Sequence, residues 1–371
     1  MNNTCVISIG NLASFSRGLT YSRNDEVDFS KNVVLRSNNI DLATNTLNYD
    51  ELKYISDAIV IPNDKKLQRN SIFMCMSNGS KQHLGKVAYI DKDYPYAFGG
   101  FMGLIRPNEE LIVPKLLYYY FCSSKFKRFL SSIGNGANIN NIKFVDIAKD
   151  CISIPEKLIQ QSIVVELDKI NELISLKKEQ LKDYDNLAQS IFYEMFGDPV
   201  VNEKGWEVKK FADLYKLKSG DSLSAKNFIE GEIPVYGGNG ISGYHNDFNM
   251  DGDFIIIGRV GVYCGNVREV HGKFWLTDNA FQLFYSREIQ SPCFIHYLLE
   301  ILDLHKYANA AAQPVISNLT LKDVEIIIPP LSLQQLFAQR IELIEQQKAE
   351  IQSTIADLET LLASRMQYWF D

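Results

Sequence analysis

The sequence lacks the side-chain patterns that hold metal ions or cross-link secreted domains. Its six cysteines are scattered without a Cys-x-x-Cys pair, and its five histidines show no ligand spacing. Scattered cysteines are typical of a reducing compartment and argue against a structural zinc site. We therefore expect a cytoplasmic protein and no metal site.

Long apolar runs are also missing. No stretch approaches the ~20 uncharged apolar residues that a membrane span needs, and the N-terminus does not show a basic segment followed by an apolar one. Hydrophobic residues nevertheless make up 46% of the 371 residues. A chain of this length and composition favours two folded domains with connecting helices, away from a membrane.

Sequence motifs of several enzyme classes are absent. There is no Asn/Asp-Pro-Pro-Tyr stretch for amine methylation and no Walker lysine loop, and the Phe98–Phe101 stretch (FGGF) lacks a dinucleotide-fold context. Asp198 with Glu207 and Lys209 resembles an Asp…Glu-x-Lys nuclease signature. Glu-x-Lys is expected by chance in such a chain, and Asp198 also fits a helix stop, so we predict no catalytic residue. A metal-dependent nuclease remains an alternative.

Two long amphipathic segments dominate what is present. The first runs from about residue 156 to 196 after Ile154-Pro155, and the second from 331 to 370 after Ile328-Pro329. A shift of 174 residues aligns them without a gap, placing Gln160-Gln161 on Gln334-Gln335. Proline suits the start of a helix, so both segments are predicted to be helices, each about 60 Å long at ~1.5 Å per residue.

Each predicted helix carries one narrow apolar stripe with alternating spacings of four and three residues, interrupted by Lys177, Lys348 and Arg365. This spacing is typical of a coiled coil, and we expect the two helices to pack antiparallel; an ordinary amphipathic core helix is the alternative. The predicted seam residues, also expected to support subunit docking, are Ile163, Leu167, Ile170, Ile174, Leu181, Ile341, Ile344, Ile351, Ile355 and Leu358.

The remaining sequence forms a second, weaker repeat. Ile9–Leu12 aligns with Phe211–Leu214 at a shift of 202 residues, and Gly18 with Gly220. The predicted fold class is α+β (mixed α/β), a pseudo-twofold internal repeat in which two long antiparallel coiled-coil helices join two globular domains. The predicted segments are 1–153, 154–198, 199–327 and 328–371. In the first domain we expect strands at 32–40, 58–61, 71–76 and 86–90, and one helix at 116–130.

The charge is unevenly distributed. The whole chain carries −7, but residues 1–150 hold 18 basic and 14 acidic side chains, which gives +4. A basic domain on acidic helices is compatible with DNA binding, although a charge of this size is also common on inert surfaces.

Glycine- and asparagine-rich loops carry the candidate DNA-binding residues. Such loops let the backbone approach a phosphate, and Asn and Arg side chains can pair with adenine and guanine. Solvated turns have the same composition. The candidates are Arg36, Asn38, Asn78, Lys81, Lys86 and Asn138 in the first domain, and Lys226, Tyr236, Asn239, Arg259, Lys273 and Asn279 in the second.

Taken together, the repeated Ile-Pro…Gln-Gln helix starts, Phe196-Gly197-Asp198-Pro199, Trp206 and Ile257–Gly261 (IGRVG) resemble the specificity (S) subunit of type I restriction-modification systems over essentially the whole chain. The resemblance implies that the two globular domains are target-recognition domains, each reading one half of a bipartite double-stranded DNA target. The helices would set the spacing and dock two methyltransferase (M) subunits, and motor-nuclease (R) subunits would join for cleavage.

The same resemblance implies that this chain is non-catalytic and holds no cofactor. S-adenosylmethionine, ATP and Mg are then expected on the partner subunits. An alternative from another class is a coiled-coil scaffold or adaptor, which would self-associate and show no salt-dependent DNA binding.

Overall fold

A computed structural model describes residues 5–133, 141–309 and 313–371. The chain forms two compact units, Met1–Leu176 with Ile355–Asp371, and Lys177–Thr354. Each long helix contributes one part to each unit. Among the described residues, no helix is both long and apolar enough to cross a membrane.

The helices are α1 (Ile9–Leu12), α2 (Pro114–Cys122), α3 (Ser124–Ile133), α4 (Phe144–Lys149), α5 (Lys157–Phe196), α6 (Phe211–Leu214), α7 (Pro292–Leu302), α8 (Asn318–Leu321) and α9 (Leu331–Phe370). The strands are β1 (Cys5–Ser8), β2 (Ala13–Arg17), β3 (Glu26–Val27), β4 (Asn32–Leu35), β5 (Lys53–Ile55), β6 (Ser71–Cys75), β7 (Val87–Ile90), β8 (Ala97–Phe98), β9 (Met102–Pro107), β10 (Cys151–Ile154), β11 (Glu207–Lys210), β12 (Lys216–Ser219), β13 (Ile233–Gly237), β14 (Gly240–His245), β15 (Met250–Gly258), β16 (Val267–Leu276), β17 (Ala280–Phe284) and β18 (Glu325–Ile328).

The first unit contains two four-stranded sheets, ordered β2-β9-β6-β7 and β3-β5-β4-β8. Strand β6 is buried along its whole length. Its alternate side chains enter two cores: Phe73 packs with residues of the second sheet such as Leu35, whereas Ile72 and Met74 pack with α2 and α5. Because side chains alternate across a strand, burial on both faces explains why β6 is continuously apolar.

The second unit contains one six-stranded sheet, ordered β12-β17-β15-β16-β13-β14, in which β13 joins β16 in parallel. Ile255 and Ile257 of β15 pack against Phe294 of α7 in its main core. Phe192 of α5 and Phe337 of α9 belong to the same core. The sheet is therefore anchored to both long helices within this unit.

The predicted duplication is present in the strand register. Cys5 of β1 pairs with Ile154 of β10, and Glu207 of β11 pairs with Ile328 of β18. The first members of these pairs differ by the predicted shift of 202 residues and the second members by 174. Each two-stranded sheet ends directly before a long helix.

A glutamine near the start of each long helix makes the same set of hydrogen bonds in the two units. Gln160 accepts from the backbone N–H of Val113 at 2.8 Å and donates to Leu111 O and Pro155 O. Gln334 accepts from the N–H of Ser291 at 2.8 Å and donates to Ile289 O and Pro329 O. These paired glutamines fasten the helix start to the loop before α2 or α7.

The two long helices run antiparallel within the second unit. Asp185 of α5 forms an ion pair with Lys348 of α9 at 2.8 Å, and Phe192 further along α5 contacts Phe337, which lies earlier in α9. Of the predicted seam residues, Leu181 and Leu358 are half-buried and the other eight are buried. An apolar seam with antiparallel pairing matches the predicted fold class.

Two polar interruptions of the seam, Lys348 and Arg365, make ion pairs between the helices, whereas Lys177 donates to Gln180 of its own helix. Lys348 bridges Asp185 and Glu345, while in the first unit Arg365 binds Glu166 through two nitrogens. The hydrogen bond from Arg365 is the leading cause of a lowered pKa for the Glu166 carboxyl. These ion pairs place charged groups at two fixed positions along the otherwise apolar contact between α5 and α9.

Three predictions of local structure are wrong. The strand predicted at 32–40 ends at Leu35, because the N–H of Arg36 donates to Asn39 Oδ1 and a 3₁₀ turn follows at Ser37–Asn39. Residues 58–61 do not form a strand, because the Asn32 side chain donates to Ser56 O and Ile59 O and holds the segment in a turn. The strand lies earlier, at β5. The single predicted helix at 116–130 is two helices, α2 and α3, because Ser123 is extended and its hydroxyl accepts from the N–H of Phe126.

Candidate nucleic-acid interface

Loops of the second unit enclose a cleft of about 580 Å³. Its walls are the β13–β14 turn, the chain after β15 and the chain after β16. Gly238 and Gly258 meet so closely that a Cβ built on Gly258 would lie 2.2 Å from Gly238 O, so only glycine fits there. The lining residues are Leu223, Ser224, Ala225, Phe228, Gly237, Gly238, Asn239, Gly240, Ile241, Ser242, Val260, Thr277, Asn279 and Gln313.

Arg259 does not line the cleft but directly precedes the lining residue Val260. Its guanidinium donates to Ser219 Oγ at 3.2 Å and Asp278 O at 3.3 Å, and packs 5.5 Å from the centre of the Phe281 ring. Its Nε atom is buried without a hydrogen-bond partner. The side chain is thus held by neighbouring loops with donor capacity unused.

The other predicted residues of this domain fall into two groups. Asn239 and Asn279 are exposed and line the cleft, and the exposed Lys226 follows the lining residue Ala225. Tyr236 and Lys273 do not line it. The Tyr236 ring packs at 5.5 Å on Phe274, and the Lys273 ammonium lies 4.5 Å from the Phe248 ring centre.

The first unit also brings predicted residues together. Arg36 follows β4, and its backbone N–H donates to Asn39 Oδ1 at 2.8 Å, which shapes the turn. Asn38 in this turn is exposed and donates to Glu51. Asn78, from the loop after β6, donates to Ser37 Oγ at 3.0 Å and ties that loop to the turn.

The remaining predicted residues of the first domain are Lys86, Lys81 and Asn138. Lys86 is only 7% exposed and donates to Ile40 O at 2.8 Å, so its ammonium is a structural group in this conformation. Burial lowers the pKa of Lys86. Lys81 lies in a 3₁₀ turn (Lys81–His83). Asn138 lies outside the described residues. DNA contact by any predicted residue stays a prediction.

We call the loops around Arg36 and Asn78 in the first unit and the loops around the 580 Å³ cleft in the second unit the two loop clusters. They share one hydrogen-bond scheme, which the sequence did not predict. Gly18 N–H donates to Met102 O at 3.1 Å, as Gly220 N–H does to Ala280 O at 3.3 Å. A Cβ on Gly18 would lie 2.0 Å from Gly99 O, and one on Gly220 would lie 2.1 Å from Leu276 O.

The scheme continues into the next two loops. Gly85 N–H donates to Cys75 O and Gly265 N–H to Gly258 O, and both glycines have positive φ. The shift that aligns the two repeats differs between segments. An alignment of the glycines that allowed a different shift in each segment could have found this scheme from the sequence.

A second cleft of about 760 Å³ in the Lys177–Thr354 unit has a different character. Its acidic lining includes Asp185, Glu269, Glu300, Glu342 and Glu345. Burial opposes the charged form of His296 there, but hydrogen bonds with Glu269 and Glu300 outweigh it and raise the pKa of His296 to about 9.

This acidic lining disfavours phosphate contact. Among residues 5–133, 141–309 and 313–371, no group of three His, Cys, Asp or Glu side chains is arranged to hold a metal ion.

The family comparison agrees with the duplicated architecture. The model of the type I restriction modification DNA specificity domain matches residues 2–183 and 203–359. The chain belongs to this family. The two matches fall on the two repeats, so the chain contains two specificity domains.

Curated relatives are type I specificity subunits. The chain is 29% identical over 232 residues to the EcoprrI specificity subunit of Escherichia coli, covering 59% of this chain and 57% of that protein. It is 28% identical over 200 residues to the EcoKI specificity subunit of Escherichia coli K12, covering 53% and 42%. The matches thus span about half the length of these relatives.

Solved structures share the fold of this specificity-domain chain. The S subunit of a type I restriction-modification system from M. genitalium has a TM-score of 0.58 at 16% identity, covering 100% of this chain and 96% of that one. A chain from a structural study of complex assembly and conformational transition of the type I R-M system has a TM-score of 0.61 at 16% identity, covering 98% and 96%.

Proposed function

We propose that this chain is the DNA sequence-specificity subunit of a type I restriction-modification enzyme. Each specificity domain reads one half of a bipartite target through its loop cluster. The observation that carries the proposal is the shared hydrogen-bond scheme of the two clusters, which holds different side chains in the two domains. A constant scaffold with variable side chains suits the reading of two different half-sites.

The long helices fix the distance between the half-sites and dock two M subunits. At ~3.4 Å per base pair, a helix of about 60 Å limits the separation to fewer than ~18 base pairs. The repeated helix starts support this role because two similar docking faces suit two copies of one partner. R subunits join the complex for cleavage.

The chain contributes recognition and no catalysis. S-adenosylmethionine is held by the M subunits, which methylate adenine after flipping it out of the helix, and ATP and Mg by the R subunits. The complex acts in the cytoplasm, where chromosomal DNA is accessible.

A salt series on the assembled complex tests the proposal. The chain with its presumed methyltransferase subunits is titrated with genomic DNA fragments from ~50 to ~200 mM salt, and we expect affinity to fall steeply as phosphate contacts are lost. The methyltransferase subunits alone are the control. Self-association of the chain without salt-dependent binding would instead favour the scaffold alternative.

A further inference from the structure

Phe101 and Asn279 occupy equivalent positions in the two domains. The backbone N–H of Met76 donates to Phe101 O at 3.0 Å, and the N–H of Arg259 donates to Asn279 O at 2.9 Å. The flanking turns also correspond, since Met102 N–H donates to Gly99 O at 2.8 Å and Ala280 N–H to Thr277 O at 3.1 Å. One backbone position thus carries an aromatic ring in one domain and an amide in the other.

Phe101 is 71% exposed although hydrogen bonds hold its backbone. Its carbonyl accepts hydrogen bonds from Met76 at 3.0 Å and from Ser77 at 3.1 Å, and the next residue, Met102, is fully buried at the start of β9. A ring on a fixed backbone loses little conformational entropy when a partner covers it.

Two arginine side chains lie beside the loop that carries this ring. The Arg17 guanidinium donates to Gly100 O at 3.1 Å. A Cβ built on Gly99 would lie 3.8 Å from Arg36 Cγ, so the Arg36 side chain passes beside the same loop. Cations that can hold phosphates next to an apolar group that can touch bases are a combination suited to a DNA groove.

We propose that Phe101 is a specificity-determining residue of the first domain, where its ring makes an apolar contact with a thymine methyl group in the major groove. Asn279, at the equivalent position of the second domain, hydrogen-bonds to an adenine edge. Apolar side chains contact the thymine methyl and Asn pairs with adenine, so one scaffold position reads a base pair by two kinds of chemistry. This inference rests on the proposed function.

The test compares methylation motifs in cells that express the complete system with Phe101→Ala, Asn279→Ala or the natural chain. We expect Phe101→Ala to relax one A·T position in one half-site and Asn279→Ala to relax a position in the other half-site. Phe29→Ala is the matched control, because Phe29 is another exposed phenylalanine of the first unit, packed at 5.3 Å on Tyr54. It should leave the motif unchanged.

Binding by the purified complex then tests the thymine contact directly. Replacing thymine by deoxyuridine at the relaxed position should weaken binding of the natural complex roughly three- to tenfold and leave the Phe101→Ala complex unaffected. A two-part motif that Phe101→Ala leaves unaltered would overturn the inference alone. If cells with the natural chain show no methylated two-part motif that depends on this gene, the proposed function itself is overturned.

Discussion

Arg259 is a predicted DNA-binding residue, and contacts within the protein already hold its side chain. Ser219 Oγ and Asp278 O each accept one hydrogen bond, at 3.2 and 3.3 Å, and the buried Nε has no partner. Fixing the guanidinium in advance reduces the entropic cost of binding. The position of Arg259 was predictable from its glycine-flanked stretch, but its contacts required the fold.

We expect Arg259→Ala to weaken DNA binding by the assembled complex about 10- to 100-fold, because a guanidinium contact to a base or phosphate is worth ~1–3 kcal/mol. The exposed Arg287, which follows β17, gives the control Arg287→Ala. Binding is measured by fluorescence anisotropy and assembly by size-exclusion chromatography. Unfolding of the Arg259→Ala domain would show that the residue is structural.

The environment of His296 predicts that the free energy of unfolding depends on pH. Its pKa of about 9 lies above the ordinary value of 6.5, because its hydrogen bonds to Glu269 and Glu300 outweigh the effect of burial. The protonated His296 therefore contributes its full stabilisation of the fold below pH ~6.5. That contribution is lost as the pH rises through about 9 and the imidazole loses its proton.

Replacing His296 by Gln should therefore lower the free energy of unfolding by on the order of 2 kcal/mol at pH ~6 and by much less at pH ~9.5. Urea titrations at both pH values measure the difference. His271→Gln is the control, because His271 pairs with Asp253 at 2.9 Å but is largely exposed. Equal losses at both pH values for His296→Gln would contradict the assigned charge.

Other residue predictions show where sequence reasoning stops. Lys86 lies in a polar loop by sequence, yet it is buried and its ammonium donates to the distant Ile40 O. Phe101 was set aside with a rejected dinucleotide motif. Its equivalence to Asn279 depends on hydrogen bonds between distant loops, and these have no local signal.

At the scale of elements, the paired glutamines join each long helix to its domain. Gln160 is 2% exposed and satisfies three backbone groups, those of Val113, Leu111 and Pro155. Removing its amide would leave buried polar groups without partners, and each costs about 1–3 kcal/mol.

Gln160→Ala is therefore expected to lower the free energy of unfolding by about 2–4 kcal/mol. Its neighbour Gln161 is exposed, so the control Gln161→Ala should change that free energy by less than ~0.5 kcal/mol. Chemical denaturation followed by circular dichroism measures both. Gln334→Ala with Gln335→Ala repeats the comparison in the second unit, where the same result is expected. Similar stabilities for Gln160→Ala and Gln161→Ala would contradict this account.

Lys348 forms one of the ion pairs in the otherwise apolar contact between α5 and α9. Its side chain is 18% exposed, and its ammonium bridges Asp185 at 2.8 Å and Glu345 at 2.7 Å. Both carboxylates remain largely exposed, so the ion pairs contribute little free energy, and Lys348→Leu should change stability by under ~1 kcal/mol.

We expect Lys348→Leu nevertheless to alter assembly with the methyltransferase subunits, because a longer apolar seam permits other pairings of the helices. Sedimentation velocity measures the composition of the complex. The exposed Arg340 provides the control Arg340→Leu on the same helix. Unchanged assembly by Lys348→Leu would show that this ion pair does not specify partner docking.

The elements differ in how far the sequence could predict them. The long helices were predictable almost to the residue because their spacing of apolar side chains repeats over forty positions. The break at Ser123 was not, since it depends on the Ser123 hydroxyl, which donates to Tyr120 O at the end of α2 and accepts from the N–H of Phe126 in α3. Residues 58–61 look like a strand but are held in a turn by the distant Asn32.

At the scale of the whole molecule, duplication explains which features stay alike and which differ. The strand pairs before the helices keep identical register, and the helices keep a seam and a glutamine anchor. The loop clusters keep backbone hydrogen bonds but differ in the side chains they display. Constant parts suit partners that come in identical copies, and variable parts suit two different DNA half-sites.

Mapping methylated bases in native genomic DNA tests the central claim most directly. Cells with and without this gene are compared, with the presumed methyltransferase gene present in both. The account predicts that N6-methyladenine disappears from one two-part motif with a fixed gap when the gene is absent. An unchanged methylation map would contradict a specificity role for this chain.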